Sequence, residues 1–457
     1  MFWHMQKGPK MMVYGDFVLP MKERRIIKNG AVIVENGEIV FVGKEDEAMR
    51  FLPEEKIGGK GKVVMPGFIN AHNHLFQAIL RNLAVDMVLL DWLRTSIWPM
   101  LSSFNSDEMK KAVRLGILEA IRSGTTTLID NHYGGRFYDE VADELISSGI
   151  RGVLARGGYE INAREELLED RDRIISDTER LIKKYRGKLT VAVAPMHPCF
   201  ASKELLLMAK DLSERYNVPY HTHTSESKED QELVKKVHGK TDVELLYELG
   251  ILGPRYHAVH GVYMSENEVK LMAASRANLV HNPISNMYLG SKAAPVPEML
   301  REGVNIALGT DGPASNNNQD MMTSMKVAAL LHKSSKQSPT AISAWDVLEM
   351  ATVNGAKALN GNFGVLERER RADLIVLDIR QPNTSPVHDP VGTVVYCATY
   401  NNVDSVIVDG KVLMREKKVL VYDEDKVIEE AEKAACSLVE RARSRYGLRF
   451  KFEELVE

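Results

Sequence analysis

Between residues 63 and 312, short runs of apolar residues alternate with longer stretches in which apolar positions recur every three to four residues. The first pattern predicts buried strands and the second amphipathic helices. Eight candidate strands can be read, at 63–72, 125–132, 151–159, 189–198, 218–226, 257–264, 278–285 and 305–312. Helical patterns such as 106–124 and 178–187 lie between them. Repeated strand–helix alternation predicts a parallel sheet, and eight units over about 250 residues predict a closed (β/α)8 barrel of the TIM type, an α/β fold. A doubly wound open sheet is the alternative. The lack of a Gly-rich phosphate turn after the first strand counts against it.

The two ends of the chain carry a different rhythm. Apolar and polar residues alternate in 25–43, around Asn29-Gly30 and Asn36-Gly37, and again in 372–379 and 404–414, around Asp409-Gly410. These patterns predict short strands joined by hairpin turns. Pieces so far apart in sequence can pair into one small β-sandwich domain, with the barrel inserted between them. The predicted division is 1–64 plus 366–423 for the sandwich, 65–365 for the barrel and 424–457 for a C-terminal helical extension, of which 424–447 is amphipathic.

Composition narrows the partners. The 457 residues are 27% charged with a net charge of −4, and no Lys/Arg tract stands out, so no nucleic-acid partner is expected. Cys199, Cys397 and Cys436 form no CxxC pair, which argues against a disulfide framework or a thiolate zinc site. The opening residues, 1–12, lack the apolar core of a signal peptide, and no run of about 18 apolar residues occurs. No membrane partner and a cytoplasmic location are the expectation.

Polar residues with metal chemistry gather at the predicted C-terminal strand ends, where barrels of this type carry their working groups. The first strand ends in His72-Asn73-His74, whose two imidazoles point the same way along an extended chain. The fifth ends in His221-Thr222-His223-Thr224-Ser225-Glu226, the sixth offers His260, and the eighth ends in Gly309-Thr310-Asp311-Gly312. Three nitrogen donors, one oxygen donor and an open position suit a catalytic Zn2+, or Fe2+.

At these residues the sequence resembles the amidohydrolase superfamily, through VMPGFINAHNH, HTHTSE, VHGVY, HNPISN and GTDG in that order. Within it the chain resembles the branch of cytosine and guanine deaminases, adenosylhomocysteine deaminases and triazine hydrolases. The segment 285–300 is similar to atrazine chlorohydrolase and melamine deaminase. The resemblance implies one divalent metal held by His72, His74, His223 and Asp311, because no bridging lysine is evident. It implies Glu226 as general acid/base and His260 as the group that orients the attacking water, with Asp311 sharing the proton chemistry. His221 matches no ligand position, and His257 and His281 read as structural. A homo-oligomer, dimer or tetramer, is implied as well.

The implied activity is an aminohydrolase that releases ammonia from an amino-substituted, nitrogen-rich aromatic ring such as guanine, 8-oxoguanine, a pyrimidine or a triazine. Candidate substrate-binding residues are Gln77, Trp92, Leu101, Arg156 and His197, and His132 also ends a strand. Adenosylhomocysteine deaminases carry a glutamate where Leu101 stands and a histidine where Met196 stands. These departures point away from a ribose-bearing substrate and toward a bare or alkylated ring lined by Leu89, Leu90, Trp92, Met100 and Leu101. Gly312, after the metal aspartate, matches neither triazine enzyme and favours loss of an amine over chloride. The alternatives are a triazine hydrolase removing chloride or an alkylamine, a deaminase of the adenosylhomocysteine or methylthioadenosine type, and a catalytically silent scaffold.

Overall fold

The computed structural model describes residues 9–450, so residues 1–8 and 451–457 of the predicted terminal segments lie outside it. The middle of the chain forms eight parallel strands: β5 (Phe68–Asn73), β6 (Thr125–His132), β7 (Arg151–Gly158), β8 (Thr190–Pro195), β9 (Tyr220–Thr224), β10 (Tyr256–His260), β11 (Asn278–His281) and β12 (Asn305–Leu308). They neighbour one another in chain order from β5 to β12. The ring closes where the Asp311 amide donates to the His72 carbonyl at 3.0 Å. The strands are buried on both faces, and Ala71, Ile129, Val153, Ala192, Val259, Val280 and Ala307 form an apolar cluster of their own. This explains why each strand reads as an unbroken apolar run.

Eight further strands come from both chain ends: β1 (Met11–Val18), β2 (Ile27–Glu35), β3 (Glu38–Lys44), β4 (Glu55–Pro66), β13 (Leu374–Asp378), β14 (Val403–Val408), β15 (Lys411–Arg415) and β16 (Lys418–Val419). Their order is β16-β15-β14-β13-β4-β1-β2-β3. The Ala372 amide donates to Gly37 O and the Gly410 amide to Ala372 O. The sheet therefore folds back so that its two hairpin turns, at Asn36-Gly37 and Asp409-Gly410, meet. Val32, Val64, Leu374 and Ile407 lie in the apolar cluster this encloses.

Two sequence expectations shift. Asn29-Gly30 is no turn but lies inside β2, where Gly30 pairs with both Gly15 and Lys44. The apolar run 63–72 is two strands: β4 belongs to the terminal sheet and β5 opens the barrel. Between them stands Gly67, where a Cβ would come within 2.1 Å of the Thr126 side chain. Only glycine lets the chain pass from one sheet to the other so close to β6.

The helix α1 (Ser106–Arg122) starts with a capping box between Asn105 and Glu108. The long C-terminal helix (Glu424–Tyr446) packs on it, and Arg441 grips Glu108 with two bonds of 2.5 and 2.7 Å. No helix among the described residues is long and apolar enough to cross a membrane.

Candidate metal centre and active site

His72 and His74 leave the end of β5, His223 that of β9, His260 that of β10, and Asp311 follows β12. Their donor atoms converge. Asp311 Oδ1 lies 3.4 Å from His72 Nε2 and 3.3 Å from His74 Nε2. His72, His223 and His260 bring ligand atoms within 4.8 Å of one another, and so do His72, His74 and Asp311. Separations of this size are too long for good hydrogen bonds and match donors about 2.1 Å from a shared cation.

The outer nitrogen of each imidazole is engaged. His74 Nδ1 meets the Asn131 carbonyl at 2.6 Å, and His223 Nδ1 meets the Met196 carbonyl at 2.8 Å. His260 Nδ1 lies 2.8 Å from Asn286 Oδ1. A carbonyl can only accept, so each Nδ1 carries the proton and each Nε2 lone pair faces the centre. His72 is held through a chain of rings. His257 Nε2 donates to Ala358 O at 3.0 Å, which leaves its Nδ1 to accept from His221 Nδ1 at 3.2 Å. His221 Nε2 then accepts from His72 Nδ1 at 2.9 Å. Every tautomer in the chain follows from the one carbonyl at its end.

Burial reinforces this. It is the largest cause lowering the pKa of His72, to about 3, and it also lowers those of His74, His223 and His260. Neutral imidazole is the form that binds a cation. His72 Nε2 and His260 Nε2 are buried without a hydrogen-bond partner, as expected of atoms that await a ligand. The set fits one divalent cation of the Zn2+ or Fe2+ kind.

Asp311 is aimed by its surroundings. Its Oδ2 accepts from Ser285 Oγ at 2.6 Å and Ser315 Oγ at 3.2 Å, and its Oδ1 from the Gly312 amide at 2.7 Å. Both Asp311 and His260 hold left-handed backbones, with φ of 65° and 77°. That conformation is costly for residues with a Cβ and concentrates at functional sites. Glu226 stands beside them with Oε1 3.7 Å from His260 Nε2. Burial, followed by the charges of Asp311 and Asp230, pushes its pKa well above the usual carboxylate range.

A pocket covers the cluster. His74, His223, Glu226 and Asp311 form its floor, and Leu89, Leu90, Trp92, Leu93, Phe200 and Leu289 supply an apolar wall. Gln77, Tyr133, Tyr159, Met196, His197 and Asp230 complete it. Gln77 Nε2 donates to the Tyr133 hydroxyl at 3.3 Å and its Oε1 has no partner. A Cβ on Gly312 would lie 2.0 Å from that oxygen, so the residue after Asp311 is small because Gln77 fills its space.

Of the substrate-binding candidates, Gln77, Trp92 and His197 line the pocket, whereas Leu101 and Arg156 do not. Arg156 binds Glu169 through two bonds of 3.0 and 2.5 Å and lies 3.4 Å from Asp177, which leaves it no donor to spare for a ligand. Leu101 is buried against Gly134, so its apolar side chain says nothing about what the pocket accepts. His132 donates to the Arg136 carbonyl at 2.9 Å and also lies away from the wall. Ser285, Asn286 and Asp230 received no role from the sequence. The first two sit inside the HNPISN segment already singled out. Asp230 lies past the end of its strand, in the first turn of the helix Lys228–His238.

A model of the amidohydrolase family matches residues 63–413. The chain belongs to that family. Like other amidohydrolases it is a hydrolase acting on carbon–nitrogen bonds. This amidohydrolase is 39% identical over 422 residues to a 5'-deoxyadenosine deaminase of Methanosarcina mazei, covering 92% of this chain and 95% of that protein. It is 36% identical over 438 residues to a 5-methylthioadenosine/S-adenosylhomocysteine deaminase of Thermoanaerobacter pseudethanolicus, covering 94% of this chain and all of that protein. A zinc-bound adenosine deaminase structure from Xanthomonas campestris superposes with a TM-score of 0.90 at 28% identity, over 95% of this chain and 99% of that one.

Proposed function

We propose that this amidohydrolase is an aminohydrolase that replaces the exocyclic amine of an adenine nucleoside, modified at its 5' carbon, with oxygen and releases ammonia. The observation that carries the reading is the pair of relatives named for such nucleosides, at 39% and 36% identity across nearly the whole chain. It reverses the order favoured by sequence, which ranked a bare ring above a nucleoside on Leu101 and Met196; Met196 lines the pocket and Leu101 does not.

In this reading His72, His74, His223 and Asp311 hold one divalent cation, whose charge brings the pKa of water toward neutrality. Glu226, made a ready holder of protons by its burial, takes a proton from the attacking water. It returns the proton to the ring nitrogen beside the reacting carbon. His260, fixed by Asn286, orients the water with its Nε2. The second proton of that water, taken up by Asp311, passes to the amine, which departs as ammonia while the carbon keeps the oxygen. The partnerless Oε1 of Gln77 faces the heterocycle as an acceptor.

The apolar wall of Leu89, Leu90, Leu93 and Leu289 favours a second reading, a bare or alkylated ring such as guanine or a triazine. Ammonia release across 5'-deoxyadenosine, 5'-methylthioadenosine, adenosylhomocysteine, adenosine, guanine and melamine separates the two. Turnover confined to guanine or melamine overturns the nucleoside reading.

A further inference from the structure

We propose that His197 and Asp230 form a hydroxyl-binding subsite in the pocket wall and grip the sugar of the substrate. The proposal rests on the nucleoside reading above and goes beyond it by naming the groups that recognise the sugar.

His197 follows β8, and Asp230 lies in the first turn of the helix Lys228–His238 after β9. Both line the pocket, and both are buried, at 3% and 2% exposure. The Cys199 amide donates to His197 Nδ1 at 3.1 Å. A backbone N–H can only donate, so the ring proton must sit on Nε2. That Nε2–H has no partner. Its nearest acceptors, Asp230 Oδ2 and Asp242 Oδ2, lie 3.6 and 3.7 Å away, beyond hydrogen-bond reach. Asp230 Oδ2 accepts the Ser227 amide at 2.8 Å, which anchors the carboxylate, while its Oδ1 has no partner.

The wall thus presents one buried donor and one buried acceptor side by side, each unmet. Leaving either so is unfavourable, because a buried polar group without a partner has lost its water and gained nothing in return. A hydroxyl both donates and accepts, and vicinal hydroxyls satisfy both groups at once. The same three residues bring ligand atoms as close together as those of the metal centre. A cation is nonetheless the wrong occupant, because an Nε2 that carries a proton has no lone pair to give. Asp242 lies outside the pocket wall, and its Oδ2 accepts from the Ser225 amide and hydroxyl at 2.5 and 3.0 Å.

The test is a substrate–variant cycle on the metal-loaded enzyme. It uses 5'-deoxyadenosine and its 2'-deoxy and 3'-deoxy counterparts with wild type, His197→Ala and Asp230→Asn, the last of which keeps an oxygen for the Ser227 amide. In wild type, removal of the recognised hydroxyl is expected to lower kcat/KM by about 10–100-fold. In either variant the same removal costs about threefold or less. The subsite is overturned if wild type ignores the hydroxyls, or if the penalty persists in both variants while only their unfolding midpoints fall. It is also overturned if wild type takes up a second equivalent of Zn2+ that Asp230→Asn does not. Should no nucleoside be turned over while guanine or melamine is, the nucleoside reading falls and takes the subsite with it. Nucleoside turnover without coupling removes the subsite alone.

Discussion

His72 Nδ1 and His221 Nε2 share a hydrogen bond of 2.9 Å inside the barrel, and through it a proposed metal ligand is held by a residue outside the proposed ligand set. His221→Phe removes the acceptor and leaves the His72 ring free to turn or change tautomer. The expected result is a loss of about 10–100-fold in metal affinity, read by competition with a chelator. Unchanged affinity would show that β5 alone positions His72.

Glu226 contributes no atom to the proposed ligand set, yet its carboxyl lies 3.7 Å from His260. Glu226→Gln keeps the shape and removes the proton carrier. Metal content measured by elemental analysis should be unchanged while kcat falls by about 10²–10⁴-fold. Loss of metal in this variant would make Glu226 a ligand instead.

Gly312 is the one place next to Asp311 where a single added carbon must displace Gln77, since its Cβ would stand 2.0 Å from the Gln77 oxygen. Gly312→Ala is expected to lower kcat/KM by about tenfold or more through misplaced substrate, with metal content retained. Normal kinetics would show that Gln77 does not read the ring.

Arg156 and Glu169 are both buried and hydrogen-bonded to each other. Arg156→Met leaves a buried carboxylate unpaired, and a loss of about 3–5 kcal/mol in unfolding free energy is expected from urea titration. A variant of normal stability with a raised KM would return this arginine to the substrate.

His132 is wholly buried, and desolvation lowers its pKa from 6.5 to about 4. Between those values the unfolded chain binds a proton that the folded chain refuses, so this group makes stability fall as pH drops from about 6.5 to about 4. Urea midpoints at pH 7 and pH 5 should show wild type losing about 1–2 kcal/mol more than His132→Gln over that interval. Equal losses would mean that His132 titrates normally in the fold.

The barrel was legible because strands covered on both faces must be apolar throughout, and each such run ended in a polar cluster at the mouth. The small sheet was legible from its turns, although Asn29-Gly30 mimicked one while lying mid-strand. The seam at Gly67 was not, since two consecutive buried strands of different sheets leave one continuous apolar run. At the site, spacing along extended chain marked the pairs His72/His74 and His221/His223, and the family resemblance chose His72, His74, His223 and Asp311 as the ligand set. Asp230 and the chain His72–His221–His257 were not legible in this way, because their partners are set by which strands become neighbours. Arg156 and Leu101 lie outside the pocket lining. Family position marked them for the substrate, whereas Glu169 and Gly134 claim their side chains.

The bond from the Asp311 amide to the His72 carbonyl joins the last barrel strand to the first. Three of the four groups proposed to hold the ion, His72, His74 and Asp311, are therefore carried by the two edges that must meet for the ring to exist, and the fourth, His223, by a strand between them. A polypeptide that stops short of residue 311 lacks at once the carboxylate of the clasp and the bond that draws the circle shut.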